Sequence, residues 1–278
     1  MSRQAKRTLT NLLLYSVLIL VSLFMLLPFV WMLSTSFKLA EDIFGYPPQL
    51  IPARPVLDNY TYVIFEKGVL QNLYNTAVIA ALATLAALFF STLAGYGFAK
   101  YEFPGKKGLF AFLLATMIIP GAVMLVPSYI LMRQFGWVDT FWPLILPGAA
   151  SAFWIFFFRQ FISTISDELL DAARIDGASD FRIYWNIIVP IIAPAMVSMG
   201  LIFFMASWNA YQGPRIYLKS PEKMVMTQAI MSMQGSAGFT AWGEYMALAV
   251  ISLIPLMILF LVFQRRIVEG IMAGAMKG

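Results

Sequence analysis

Glu168-Leu169-Leu170-Asp171-Ala172-Ala173-Arg174-Ile175-Asp176-Gly177-Ala178-Ser179-Asp180-Phe181-Arg182-Ile183-Tyr184-Trp185-Asn186-Ile187-Ile188-Val189-Pro190 is the longest stretch of mixed charge in this chain. Apolar segments long enough to span a bilayer stand on both sides of it. Ser166 is placed to cap a short helix, with Asp167 and Glu168 in its first turn, where the positive end of the helix dipole favours anions. Gly177 supplies a left-handed stop. Ser179 then caps a second helix that runs through Phe181, Tyr184 and Trp185 toward Pro190. Leu169, Leu170, Ala172 and Ala173 form a small apolar ridge among the charges of the first helix, and small residues let another surface approach closely. The stretch predicts a compact helix–turn–helix at a membrane face, shaped for docking.

Composition sets the class. Hydrophobic residues make up 60% of the chain and charged ones 12%, against roughly a quarter charged in soluble domains. Such a chain lacks the polar surface a soluble core of this size needs, so it is read as an integral membrane protein. Cysteine and histidine are both absent, which excludes disulfides, zinc and haem sites of the usual ligand types, and histidine-based acid–base chemistry. The net charge of +5 sits near predicted span ends and is explained by membrane topology rather than by nucleic acid.

Outward from the quoted stretch, hydropathy predicts six spans, at about 11–34, 74–98, 108–131, 142–163, 191–210 and 245–263. The first follows Arg3, Lys6 and Arg7 and is too long for a signal-peptide core, so it is read as retained. Gly95 and Gly97 in the second span permit close helix contact; Pro120 and Pro127 fall within the third and Pro147 within the fourth. The fold class is therefore an all-α integral membrane protein, read as a single transmembrane domain over residues 1–278. The loop at 164–190 lies on one face, and two longer polar segments, 35–73 and 211–244, lie on the other. Lys and Arg divide twelve to seven between these faces, the larger share lying with both termini, the 99–107 turn and the 164–190 loop. The positive-inside rule places that face in the cytoplasm.

Asp171-Ala172-Ala173, three residues, Gly177, nine residues, then Ile187-Ile188-Val189-Pro190 resembles the EAA loop of ABC importer permeases. Ala94 to Gly105, Leu146 to Phe153, Arg159-Gln160-Phe161, Ser207-Trp208-Asn209 and the ending Gln264 to Gly278 extend the likeness to the carbohydrate-importer branch, the maltose-transporter type. Asp171 stands where that family usually has Glu, one methylene longer; Glu168 lies nearly a turn earlier. Val189 stands for its usual Leu. The resemblance implies an ABC importer permease fold whose loop is a coupling helix, with Glu168, Asp171, Ala172, Ala173, Asp176 and Gly177 meeting an ATPase. It implies a homologous second permease, an ATPase homodimer, an extracellular or periplasmic solute-binding protein, and a multi-pass place in the cell (inner) membrane. Gly270, Gly274 and Gly278, spaced by four, suit a tail threading along another protein better than a free helix; the resemblance points it at the ATPase.

No Gly-x-x-x-x-Gly-Lys-Ser/Thr occurs, so ATP and Mg are expected in a separate ATPase and no cofactor on this chain. Asp139 and Glu244, in or beside the outer segments, read as solvated surface charge. The spans lack charged residues except Arg159 near one end of the fourth, whereas ion-coupled carriers commonly keep carboxylates at membrane depth. They offer instead Asn75, Thr76, Ser151, Ser198, Ser207 and Asn209 among Phe153, Trp154, Phe203, Phe204 and Trp208. Hydroxyls and amides can bond sugar hydroxyls while aromatic faces pack on pyranose rings; helix packing and interfacial anchoring are the competing roles. The expected function is import of a neutral oligosaccharide or related polyol. An ion-coupled secondary transporter and a membrane-embedded enzyme acting on glycans or lipids are the alternatives; for an enzyme, no convergent acid, base or nucleophile stands out.

Overall fold

The computed structural model describes residues 3–234 and 241–275, and among them every regular element is helical. Two compact units emerge, residues 1–70 with 229–255, and residues 71–228 with 256–278.

The first unit is led by α1 (Arg3–Thr35), whose apolar side chains have almost no cover within the chain; Phe24 is 78% exposed. Water would not tolerate such a surface, and bilayer or a protein partner would. Beyond its end the chain is knotted by polar contacts. The Asn59 amide donates to the carbonyls of Ser36 and Lys38, each at 2.9 Å. The Lys38 ammonium is buried, lies 4.4 Å from the Trp31 ring centre and donates to the Gln49 carbonyl. Short helices α2 (Ala40–Ile43) and α3 (Asp58–Thr61) flank Pro47, Pro48, Pro52 and Pro55, across which a regular helix is forbidden.

The second unit is built on α4 (Val69–Lys100). Small residues on its inner side, Ala80, Ala83 and Ala87, are buried. Gly95 lets α8 (Ala152–Ile162) approach so closely that a Cβ there would lie 2.9 Å from the Arg159 amide nitrogen. A Cβ at Gly97 would meet nothing within 4 Å, so only the first of these two glycines serves helix contact.

Among the described residues, four helical stretches are long and apolar enough to cross a membrane: 10–35, 69–100, 180–208 and 242–264. They cover the first, second, fifth and sixth predicted spans. The fourth is a bent pair, 142–150 and 152–162, meeting at 40°. Its break follows Pro147, and Ser151 is extended. The Ser91 hydroxyl donates to the freed Ala149 carbonyl at 3.3 Å, which is how irregular backbone is satisfied at membrane depth.

The third predicted span, 108–131, is not one helix. α5 (Lys106–Thr116) and α6 (Leu125–Gln134) are separated by successive tight turns, Val123 bonding back to Pro120 and Met124 to Gly121. Pro120 has no N–H to continue α5, and Gly121 beside it favours a turn.

The fifth span begins earlier than expected. α10 (Asp180–Ile183) runs through a wide π-turn at Tyr184–Ile188 into α11 (Val189–Trp208), so Pro190 lies inside a continuous helical path. The proline cannot bond the carbonyl four residues back, and the widened turn relieves the clash of its ring. After the short helices α12 (Gln212–Tyr217) and α13 (Met226–Ser232), α14 (Trp242–Ala275) likewise continues past the predicted span end. Gly270 and Gly274 therefore lie on a helix rather than on an irregular threading tail, while Gly278 lies outside the described residues.

Candidate functional site

The 164–190 loop folds in the second unit as α9 (Asp167–Ile175), a glycine turn, and α10. Gly177 has φ +80° with open space around it, so backbone conformation alone requires glycine here. Ser179 caps α10, its hydroxyl accepting from the Arg182 amide at 3.4 Å. Ser166 makes no such bond. Instead the N-terminal turn of α9 is held from outside: the Lys100 ammonium donates to Asp167 at 2.6 Å and to the Ile165 carbonyl. That hydrogen bond, followed by the charge of Lys100, holds the Asp167 carboxyl below its usual range.

The predicted apolar ridge divides between two faces, because neighbours on a helix are about 100° apart. Leu170 is fully buried in a core with Phe158, Ile162, Ile183, Tyr184 and Ile188, and Ala173 packs against it. Leu169, Ala172 and Ile175 face outward with Glu168, Asp171 and Asp176; Ile175 is 86% exposed. Phe181 of α10 adds to this surface. Asp171 is not a free carboxylate, since Arg174 donates to it at 3.0 Å. Arg174 also faces Asp180 at 3.7 Å. Burial, and then the nearby Asp180, raises the pKa of Tyr101 at the end of α4. Thr92 of α4 meets the Tyr184 hydroxyl at 2.6 Å. The loop thus presents an apolar patch edged by acids, and its inner face is bonded and packed to α4 and α8.

The candidate path residues do not gather in one place. Ser207 and Trp208 line a cavity of about 180 Å³ together with Thr76, Ile79, Leu144, Phe203, Pro214 and Val225, and no charged side chain is among its lining. Sequence reading missed Leu144, Pro214 and Val225, for which no local pattern gives a signal. Trp154 is edge-on to Phe203 at 5.7 Å and Phe153 edge-on to Trp154 at 5.1 Å, a chain of rings leading from that wall. Phe204 stacks on Trp208 at 5.6 Å. Asn75 is buried, and both its amide hydrogens are engaged, by the Glu222 carbonyl at 2.8 Å and the Met224 carbonyl at 2.9 Å. It positions backbone and leaves no donor for a ligand. Asn209 donates to the Met205 carbonyl at 2.8 Å where α11 ends. Ser151 is the extended residue at the bend of the fourth span.

Fold and site together define a multi-pass helical membrane protein that carries a folded, outward-presenting loop between two of its apolar segments. The chain belongs to the family of binding-protein-dependent transport system inner membrane components, whose model matches residues 88–272. It is 33% identical to the trehalose/maltose transport system permease protein MalG of Thermococcus litoralis, over 94% of each chain. It is 32% identical to the lactose transport system permease protein LacG of Rhizobium radiobacter, over 98% of each. A solved bacterial ABC transporter involved in import of the acidic polysaccharide alginate contains a chain of the same fold, with TM-score 0.82 at 22% identity, covering 95% of this chain and 98% of that one.

Proposed function

We propose that this chain is the transmembrane permease subunit of an ATP-driven importer for an oligosaccharide or related polyol. In this reading it pairs with a homologous permease, two copies of a cytoplasmic ATPase hold ATP and Mg, and a solute-binding protein delivers the sugar from outside. Hydrolysis belongs to the ATPase, and this chain carries no catalytic residue. Both termini and the 164–190 loop lie in the cytoplasm, the face with twelve of the nineteen Lys and Arg residues. Glu168, Leu169, Ala172 and Ile175 form the contact with the ATPase, Gly177 sets its shape, and Asp171 acts through its pair with Arg174. The helical end of α14 reaches the same partner.

The observation that carries the reading is the face of α9: exposed apolar residues edged by Glu168 and Asp176, on a helix whose opposite side is locked by Leu170. An apolar patch on a membrane-face loop needs a protein to cover it. The uncharged lining of the cavity, and relatives named for lactose and for trehalose/maltose, support a neutral sugar over an ion. Purifying the chain with its associated proteins tests this. The expected complex contains an ATPase whose hydrolysis rises on adding a sugar-loaded binding protein. A chain that purifies without an ATPase and still transports contradicts the reading.

A further inference from the structure

The turn between α6 and α7 (Trp142–Ile145) holds an acid to which the proposed function gives no role. Asp139 has φ +62°, left-handed backbone otherwise confined to glycines among the described residues. A residue with a side chain stays there when its surroundings over-determine it. Those surroundings come from 80 residues further along the chain. The Asp139 amide donates to the Tyr217 carbonyl at 2.8 Å. Its carboxylate accepts from the amides of Lys219 at 2.9 Å and Ser220 at 3.0 Å, from the Ser220 hydroxyl, and from the Lys223 ammonium at 3.1 Å. These donors, the Ser220 hydroxyl foremost, hold the carboxyl well below its usual range. From the other side, Asn72 donates to the Met224 carbonyl at 2.9 Å beside the two Asn75 bonds, and the Met226 amide donates to the Thr76 hydroxyl at 2.8 Å. Segment 217–226 is therefore pinned on one flank by a carboxylate and on the other by neutral side chains of α4. Within it Leu218 and Val225 are buried, while Lys219, Pro221 and Glu222 stand exposed.

We infer that Asp139 is a positioning residue for the arriving partner: its carboxylate holds segment 217–226 in one shape, so that Lys219, Pro221 and Glu222 meet the solute-binding protein already ordered. This rests on the importer reading above. A preformed surface avoids the ordering cost that a loose segment incurs on association. Asp139→Gly keeps the left-handed backbone without strain and removes the carboxylate; Asp139→Asn tolerates the same backbone and keeps an acceptor oxygen.

The test uses the whole complex, with ATP hydrolysis measured against binding-protein concentration and amide hydrogen exchange measured over 217–226. In Asp139→Gly the half-saturating concentration of binding protein should rise by about tenfold, with basal hydrolysis unchanged and exchange in the segment faster. Asp139→Asn should recover most of the difference. Faster exchange with unchanged half-saturation, or basal and stimulated rates falling together, makes Asp139 a structural clamp and overturns the inference. Should Asp139→Gly fail to assemble, Ser220→Ala, which removes one donor to the carboxylate, decides by the same two readouts. A wild-type complex that no binding protein stimulates overturns the importer reading instead, a result that no Asp139 variant can produce.

Discussion

Gly177 and Gly95 are glycines for different reasons, and their substitutions should fail differently. At Gly177 the backbone is left-handed and the space beyond is open, so Gly177→Val strains the turn by about 1–2 kcal/mol without a clash. The protein should insert and assemble while sugar uptake falls several-fold; normal uptake would remove the loop from the coupling path. At Gly95 the obstacle is the α8 backbone. Gly95→Ala should cost about 1–3 kcal/mol as the helices part, read as a lower melting temperature in detergent. A charge prediction belongs to the same scale. Asp167 is held below its usual range chiefly by Lys100. A depressed carboxyl contributes stability that is present above its unfolded value, about 4, and lost as pH falls through the folded one. Lys100→Met should flatten the acid limb of a melting-temperature profile, and an unchanged limb would sink the assignment. Gly177 was legible because a helix stop is written in adjacent residues. Asp139 and Asn75 were not, since their partners lie 80 and 147 residues away; the first reads in sequence as a solvated charge and the second as an open polar group.

Proline is where the elements depart from their sequence reading. Apolar length anticipated the four long apolar helices because a long run free of charges has few other solutions. It failed at 108–131, where apolar composition persists through Pro120 while the helix does not. What decides the outcome is whether the freed backbone groups find partners: tight turns at 117–124, the Ser91 hydroxyl at the bend of the fourth span, and a π-turn before Pro190. None of these partners is visible in a hydropathy pattern. The π-turn also sets the rotation of α10, and with it the meeting of Tyr184 with Thr92. Pro190→Ala restores the missing N–H and lets the turn relax to regular α-helix, rotating 180–186 against α4. The expected outcome is unchanged or raised thermal stability with more ATP hydrolysed per sugar imported. Full coupling in this variant would show that the widened turn plays no part in transmission.

For the molecule as a whole, sequence placed the folded 164–190 loop between apolar segments and predicted the family to which the chain belongs. It scattered the candidate sugar contacts, of which the cavity gathers Thr76, Phe203, Ser207 and Trp208. Side chains on different helices are brought together by packing, which a single sequence does not display. In the proposed function, sugar is moved by ATP through a permease that itself hydrolyses nothing. Uptake of labelled neutral oligosaccharide into proteoliposomes, with the whole complex reconstituted and binding protein added outside, tests it most directly. Accumulation should require ATP inside the vesicles and be indifferent to an imposed proton or sodium gradient. Accumulation driven by either gradient without ATP would contradict the account.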